Sequence, residues 1–105
     1  HAYAVPVVQG RVTVEVLNGS RRQGAARTAT RILRRKGIDV VFLGNADSAE
    51  VVTRVIARRG DRDKARYVAS VLASGKVVVE TDTLRRVDVS VILGDDFRPT
   101  VTLHP

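Results

Sequence analysis

Two segments of the sequence have the apolar period of a helix, and each lies between runs that are rich in valine. In "ARTATRILRRKG", Ala29 and Leu33 recur on one side, and in "ARYVASVLASG", Val68 and Leu72 do the same. Each segment runs from Ala-Arg to a leucine and then to a glycine, so the two resemble each other. Because each apolar stripe must be buried, the pattern predicts two helices packed on one shared sheet.

The valine-rich runs alternate between apolar and polar residues, as half-buried strands do. In "RVTVEVLN", for example, Val14 and Val16 fall on the opposite side from Glu15. Strands are expected within residues 11–18, 38–45, 50–60 and 87–97, helices within 23–36 and 61–75, and a short extended piece at "KVVVETD".

The order strand, helix, strand, strand, helix, strand predicts an α/β (α+β) fold with the ferredoxin-like split βαβ layout. Two helices would cover one face of a mostly antiparallel sheet, and the first and third strands would be central neighbours. A chain of 105 residues is long enough for one such core. We expect a lead-in or linker end at residues 1–10, the domain at 11–98 and a tail at 99–105. The chain starts at His1 and has no methionine, so a longer parent protein is expected.

The strand alternation predicts which side chains lie on the face without helices. Glu15 and Arg54 would be close enough to form an ion pair there. A mixed apolar and charged face can contact another protein, but it can equally be a solvated sheet surface. The predicted members of this interaction face are Glu15, Leu17, Arg54, Ile56, Ser90 and Ile92.

The segment "NGSRRQGAA" connects the first strand to the first helix and has the glycines of a phosphate-binding loop without its spacing. A structural turn is the favoured interpretation, with positive φ at Asn18 and Gly19 and a cap from Ser20 or Gln23. Weak anion binding is the alternative.

The chain carries a net charge of +7, which favours anionic partners or simply solubility. The predicted first helix concentrates arginines on the side away from its apolar stripe, which predicts docking of a polyanion or, alternatively, a solvated helix face. Only four residues are aromatic, and single-stranded nucleic acid usually requires stacking platforms. Nucleic acid is therefore disfavoured as a partner. The predicted polyanion-binding residues are Arg21, Arg22, Arg27, Arg31, Arg34 and Arg35.

The sequence offers little from which a catalytic centre could be assembled. It contains no cysteine, and its two histidines, His1 and His104, lie at the two ends. Asp95 and Asp96 form an adjacent acidic pair, which is a weak signal for a cation and more typical of a turn. We predict no enzyme activity, no cofactor and no metal site.

Several dispersed motifs together resemble the LytR C-terminal domain. They are a valine-rich strand into Asn-Gly at 14–19, Gly-Ala-Ala at 24–26, Gly-Ile-Asp-Val at 37–40, and "DVSVILGDDF" at 88–97. The resemblance implies a bacterial, extracytoplasmic accessory domain that accompanies the catalytic domain of LytR/CpsA/Psr proteins or stands alone behind a membrane anchor. That catalytic domain attaches anionic glycopolymers to peptidoglycan, and none of its motifs occurs here.

The resemblance and the charge together predict a noncatalytic binding domain of the cell envelope, tethered by a segment outside this sequence. The first expected partner is an anionic wall glycopolymer or peptidoglycan. A protein-interaction module using the helix-free face, with an envelope protein as partner, is the alternative, and a weak nucleic-acid binder is the third.

Overall fold

A computed structural model describes Val8 and residues 10–99 as a single sheet with two helices. The predicted tail at 99–105 lies outside the described residues except for its first position, so His104 is not described. The predicted lead-in at 1–10 is described only at Val8 and Gly10, so His1 is not described either. The elements in chain order are β1 (Thr13–Asn18), α1 (Ala25–Arg35), β2 (Asp39–Asn45), β3 (Arg54–Ala57), α2 (Arg62–Leu72), β4 (Lys76–Val79) and β5 (Val89–Leu93).

The strand order across the sheet is β2-β1-β5-β3-β4. Strand β1 is parallel to both β2 and β5, and β3 is parallel to β4. The contact between β3 and β5 is antiparallel. The molecule therefore consists of two parallel βαβ units pointing in opposite directions, with β5 between them.

The predicted α/β class and the two helices on one face are confirmed, because α1 packs on β1 and β2, α2 packs on β3 and β4, and the helices contact each other. The prediction of a mostly antiparallel sheet was wrong, as was that of adjacent first and third strands. The reason is the segment Lys76–Val79, expected only as an extended piece. It forms β4 parallel to β3, since the chain crosses over through α2, and β5 then lies in the centre of the sheet.

The helix ends are fixed by local hydrogen bonds. At the start of α2, the Asp61 carboxylate accepts from the main-chain N–H groups of Asp63 and Lys64, so it caps the helix. At the end of α1, the N–H of Gly37 donates to Arg34 O at 3.0 Å. Neither helix among the described residues has the length and apolar character needed to cross a membrane.

The core lies between the helices and one face of the sheet. It is built mainly from valine, alanine and leucine side chains of the strands and helices, together with Phe97 after β5. Val14, Val55 and Val91, on the three central strands, are completely buried there. Alternate residues of the same strands must point to the other face, which carries no helix.

Asp88, just before β5, joins three elements. Its Oδ2 accepts from the main-chain N–H of Thr13 at 3.0 Å and from the Thr13 hydroxyl at 3.2 Å, and it lies 3.4 Å from Lys64 Nζ on α2. Burial acts to raise the pKa of Asp88, but the bonds from Thr13 and the charge of Lys64 outweigh it, so the pKa lies below its usual value.

We expect Asp88→Asn to lower the free energy of unfolding at neutral pH by about 1–3 kcal/mol, because charge-assisted bonds are lost. Since the folded-state pKa is lowered, this stabilisation is present above the ordinary aspartate pKa of 3.8 and is lost as pH falls through the folded-state value. Urea unfolding of both proteins across pH 2–7 measures the difference, which should shrink in acid. Asp47→Asn, in an exposed loop, is the matched control and should shift stability by less than about 0.5 kcal/mol. A difference that stays constant down to pH 2 would contradict this role.

Candidate functional site

Helix α1 carries a basic ridge, defined as Arg27, Arg31, Arg34 and Arg35. All of its members are exposed, whereas Ala29 and Leu33 on the other side of the helix are completely buried. Steps of three and four residues bring these arginines to one side, as predicted. Arg34 and Arg35 also lie in the last turn, where a positive charge stabilises a helix.

The ridge charges are not neutralised by nearby acidic groups. Within residues 10–99, no carboxylate oxygen lies within 4.0 Å of a ridge guanidinium. The one ridge hydrogen bond in that range runs from Arg34 Nη2 to the main-chain oxygen of Val40 at 2.8 Å. In contrast, Arg66 and Lys64 on α2 each lie 3.4 Å from an aspartate oxygen. The ridge therefore presents four adjacent guanidinium groups with no carboxylate beside them among residues 10–99.

A groove of about 560 Å³ runs between the ridge and the neighbouring strand β2. All of the ridge arginines line it, together with Thr30 of α1 and Leu43 of β2. Thr30 is 4% exposed, and its hydroxyl oxygen has no hydrogen-bond partner in the described part of the chain. Buried hydroxyls normally have a partner, so this groove has an unsatisfied polar group on its wall.

Arg21 and Arg22, predicted with the ridge, lie in a separate place. They line a cavity of about 310 Å³ with Ser20, Asp95, Phe97 and Arg98, beyond the ends of β1 and β5. The main-chain N–H of Arg21 donates to Asp95 Oδ1 at 2.8 Å, and its Nε lies 3.3 Å from Asp95 Oδ2. The polyanion set therefore divides into an unpaired ridge and a partly neutralised pair.

The turn before α1 is held by Asn18, whose Oδ1 accepts from the N–H of Ser20 at 3.0 Å and whose Nδ2 donates to Arg22 O at 3.0 Å. The predicted positive φ at Asn18 and Gly19 was wrong. The predicted side-chain cap from Ser20 or Gln23 was also wrong, because Gly24, with φ 80°, caps α1 without a side-chain hydrogen bond. Gly19 is required for another reason, because a Cβ there would lie 2.6 Å from Glu50 Cγ. These bonds give the turn a structural role.

The residues predicted for the helix-free face all lie on it, but the face is not open at its centre. In the strand register, Ser90 of β5 lies opposite Glu15 of β1 on one side and opposite Ile56 of β3 on the other. All three are buried, whereas Leu17, Arg54 and Ile92 near the other end of the face are half-buried. The expected open contact surface is therefore restricted to the margins.

A network of polar side chains occupies that centre. The Ser90 hydroxyl donates to Glu15 Oε2 and accepts from Arg58 Nε at 2.9 Å. Arg85, from the loop after β4, donates to the same Glu15 oxygen at 2.8 Å. The predicted pair of Glu15 with Arg54 was wrong because β5 separates their strands.

Arg54 instead lies 3.8 Å from Glu50 and 3.9 Å from Glu80.

Asp95 and Asp96, the adjacent acidic pair, also have structural contacts. Asp96 Oδ1 accepts from the N–H and the hydroxyl of Thr53, at 2.8 and 2.7 Å, and so ties the chain after β5 to the start of β3. Within the described residues there is no group of three or more metal-ligating side chains.

The sequence matches the family model described as LytR cell envelope-related transcriptional attenuator, LytR_C, over residues 11–97. The chain belongs to the LytR_C family. This confirms the resemblance seen in the sequence motifs and gives the domain its context among cell-envelope proteins. No curated protein matches the chain.

Two solved structures are similar to this LytR_C domain. One is the soluble domain of a conserved hypothetical secreted protein from Mycobacterium marinum, with 22% identity, a TM-score of 0.64, and coverage of 92% of this chain and 68% of that one. It shows that the fold is shared. The other is the C-terminal domain of RV0431, with 29% identity, a TM-score of 0.44, and coverage of 87% and 78%.

Sequence reasoning missed one surface of the LytR_C domain. Val41, Phe42 and Leu43 are consecutive in β2, and they are 49%, 56% and 40% exposed. The run "VVFL" is typical of a buried strand, so the pattern gave no sign of exposure. The exposure follows from the position of β2 at the edge of the sheet, where the register with β1 also shifts between Val14 and Glu15.

We expect Ser90→Ala to destabilise the domain by about 1–3 kcal/mol, since Arg58 and Glu15 would each lose a buried partner. Chemical denaturation measures this change. Ser70→Ala on exposed α2, where the hydroxyl bonds only to Tyr67 O, is the matched control and should change stability by less than about 0.5 kcal/mol. Equal effects of the two substitutions would show that the network does not stabilise the fold.

Proposed function

We propose that this LytR_C domain is a noncatalytic accessory domain that docks phosphate-bearing polymers of the cell envelope onto the basic ridge. The observation that carries the proposal is the set of exposed arginines on α1 with no carboxylate within 4.0 Å among residues 10–99. A charge surplus that is concentrated on one helix face can hold a polyanion more effectively than the same charge spread over the surface.

Guanidinium groups suit this ligand chemically. Each presents a planar set of donors that can bond two phosphate oxygens at once. Arginine also stays protonated throughout the physiological pH range, which suits it to holding an anion rather than to acid–base catalysis. A row of such groups along an 11-residue helix, about 16 Å long, matches a repeating polymer better than a single small anion.

The envelope context supplies the ligand class. The family is described as cell envelope-related, and the anionic glycopolymers that the family resemblance implies would present repeating negative charges to the ridge. In this proposal the domain acts outside the cytoplasm, tethered through its parent chain, and increases the local concentration of polymer near that protein.

The ridge is better suited to docking than the helix-free face. The centre of that face is occupied by the bonded side chains of Glu15, Ser90 and Arg58, so a partner would have to displace an existing network. Arg21, whose guanidinium lies 3.3 Å from Asp95, contributes less than the ridge does.

The test measures binding of the 105-residue chain to peptidoglycan with and without its attached anionic polymer, over a salt series. We expect binding to require the polymer, to exceed binding to duplex DNA, and to weaken as salt screens the charges. Changing Arg27, Arg31, Arg34 and Arg35 together to glutamine should weaken binding by at least about tenfold, the equivalent of about 1.4 kcal/mol.

The matched control changes Arg59, Arg62, Lys76 and Arg86 to glutamine. These residues are also exposed, and the variant loses the same number of charges. It should bind nearly as well as the parent chain. If both variants lose binding equally, net charge alone drives the association, and if neither wall preparation binds above DNA, the proposed function is wrong.

A further inference from the structure

Strand β2 forms an edge of the sheet that no described strand covers. It has seven residues, and Val41, Phe42 and Leu43 in its middle are all exposed. The opposite edge, β4, has only four residues and begins with Lys76, as protected edges often do. A long edge with exposed apolar side chains is a template for pairing with a further strand.

The main chain of β2 has donors directed outward. The N–H of Ala46 donates to Asn18 O at 3.0 Å, which fixes the phase of the ladder with β1. Because inward and outward N–H groups alternate along a paired strand, those of Leu43 and Asn45 point away from β1. An added strand can accept hydrogen bonds from both.

The two sides of this edge differ in chemistry. Toward the helices it adjoins the groove lined by the ridge arginines and by Thr30, whose buried hydroxyl lacks a partner within the described chain. Toward the helix-free face it adjoins a groove that contains the exposed side chains of Phe42 and Leu84. Alternate residues of an added strand would enter these two environments.

Charge and chemistry distinguish between possible occupants. A second copy of this chain, paired edge to edge, would bring another basic ridge toward the first, and like charges would oppose the contact. A glycopolymer has no main chain of alternating N–H and C=O groups at strand spacing to pair with β2, and no apolar side chains for Phe42. An extended acidic peptide segment satisfies both the strand edge and the arginines.

We propose that the outer edge of β2 accepts an extended acidic segment of a partner protein by strand addition. Its alternate residues are carboxylates that face Arg31 and Arg35 and apolar side chains that face Phe42. Strand addition does not require the proposed polymer docking, although the expected competition between the two ligands does. Because the two ligands share the ridge arginines, binding of the segment and of the polymer is mutually exclusive.

The test uses a seven-residue peptide, the same length as β2, in which valine and glutamate alternate and both ends are blocked. A peptide of the same composition with the glutamates grouped is its control. We expect the alternating peptide to slow amide hydrogen exchange at Leu43 and Asn45 in the 105-residue chain, and the grouped peptide to bind about tenfold more weakly. The alternating peptide methylated on its main-chain nitrogens keeps its side chains but should lose binding.

Protein variants separate this site from the polymer site. Leu43→Pro removes an outward donor and should abolish peptide binding, while Leu43→Thr keeps the donor and should retain most of it. Both should bind the anionic polymer like the parent chain. Should Leu43→Pro fail to fold, the methylated peptide alone still decides whether main-chain pairing occurs.

Three results would overturn the proposal. Equal binding of the alternating and grouped peptides would show attraction by charge alone. Protection of Leu43 and Asn45 that rises with protein concentration, without peptide, would assign the edge to a second copy of the chain. Stronger protection of these amides by the polymer than by the peptide would assign the edge to the polymer.

Discussion

The central position of β5 is the constraint on which the rest of this structure depends. The last strand in the sequence pairs with β1 on one side and with β3 on the other, and it is the only described strand that joins the two βαβ units through main-chain hydrogen bonds. Each unit alone would leave its inner strand edge unpaired, at a cost in unsatisfied main-chain groups. Asp88 holds the entry of β5 against Thr13 and Lys64, so one carboxylate secures both the sheet and a helix.

The same strand explains the unusual helix-free face. Because β5 lies between β1 and β3, Ser90 stands between Glu15 and Arg58 and bonds to both. The two buried charged groups thus have partners in a place where an uncompensated charge would be costly. The centre of this face is occupied by Glu15 and Arg58, which both bond to Ser90, and by Arg85, which bonds to Glu15.

The two helices have similar apolar stripes but different electrostatic roles. On helix α2, Lys64 lies close to Asp88 and Arg66 lies close to Asp63, so these two charges are used within the fold. Helix α1 has no acidic residue, and it lies beside the free edge of the sheet. Charge, an unsatisfied hydroxyl and an open strand edge therefore meet along one margin of the domain, which is why both proposals concern that margin.

The sequence by itself determined the family, the two helices, most of the strands, the faces on which alternating residues lie, and the ridge on α1. These features depend on local periodicity and on motifs, which a single chain displays directly. Tertiary structure alone decided the parallel pairing, the place of β5, the partner of Glu15 and the exposure of Phe42. Which strands become neighbours depends on long-range crossovers and on competition for sheet edges, and the same run of valines can be central or marginal in a sheet. The separation of Arg21 and Arg22 from the ridge has the same origin, since residues close in sequence diverge where the chain leaves β1 for α1.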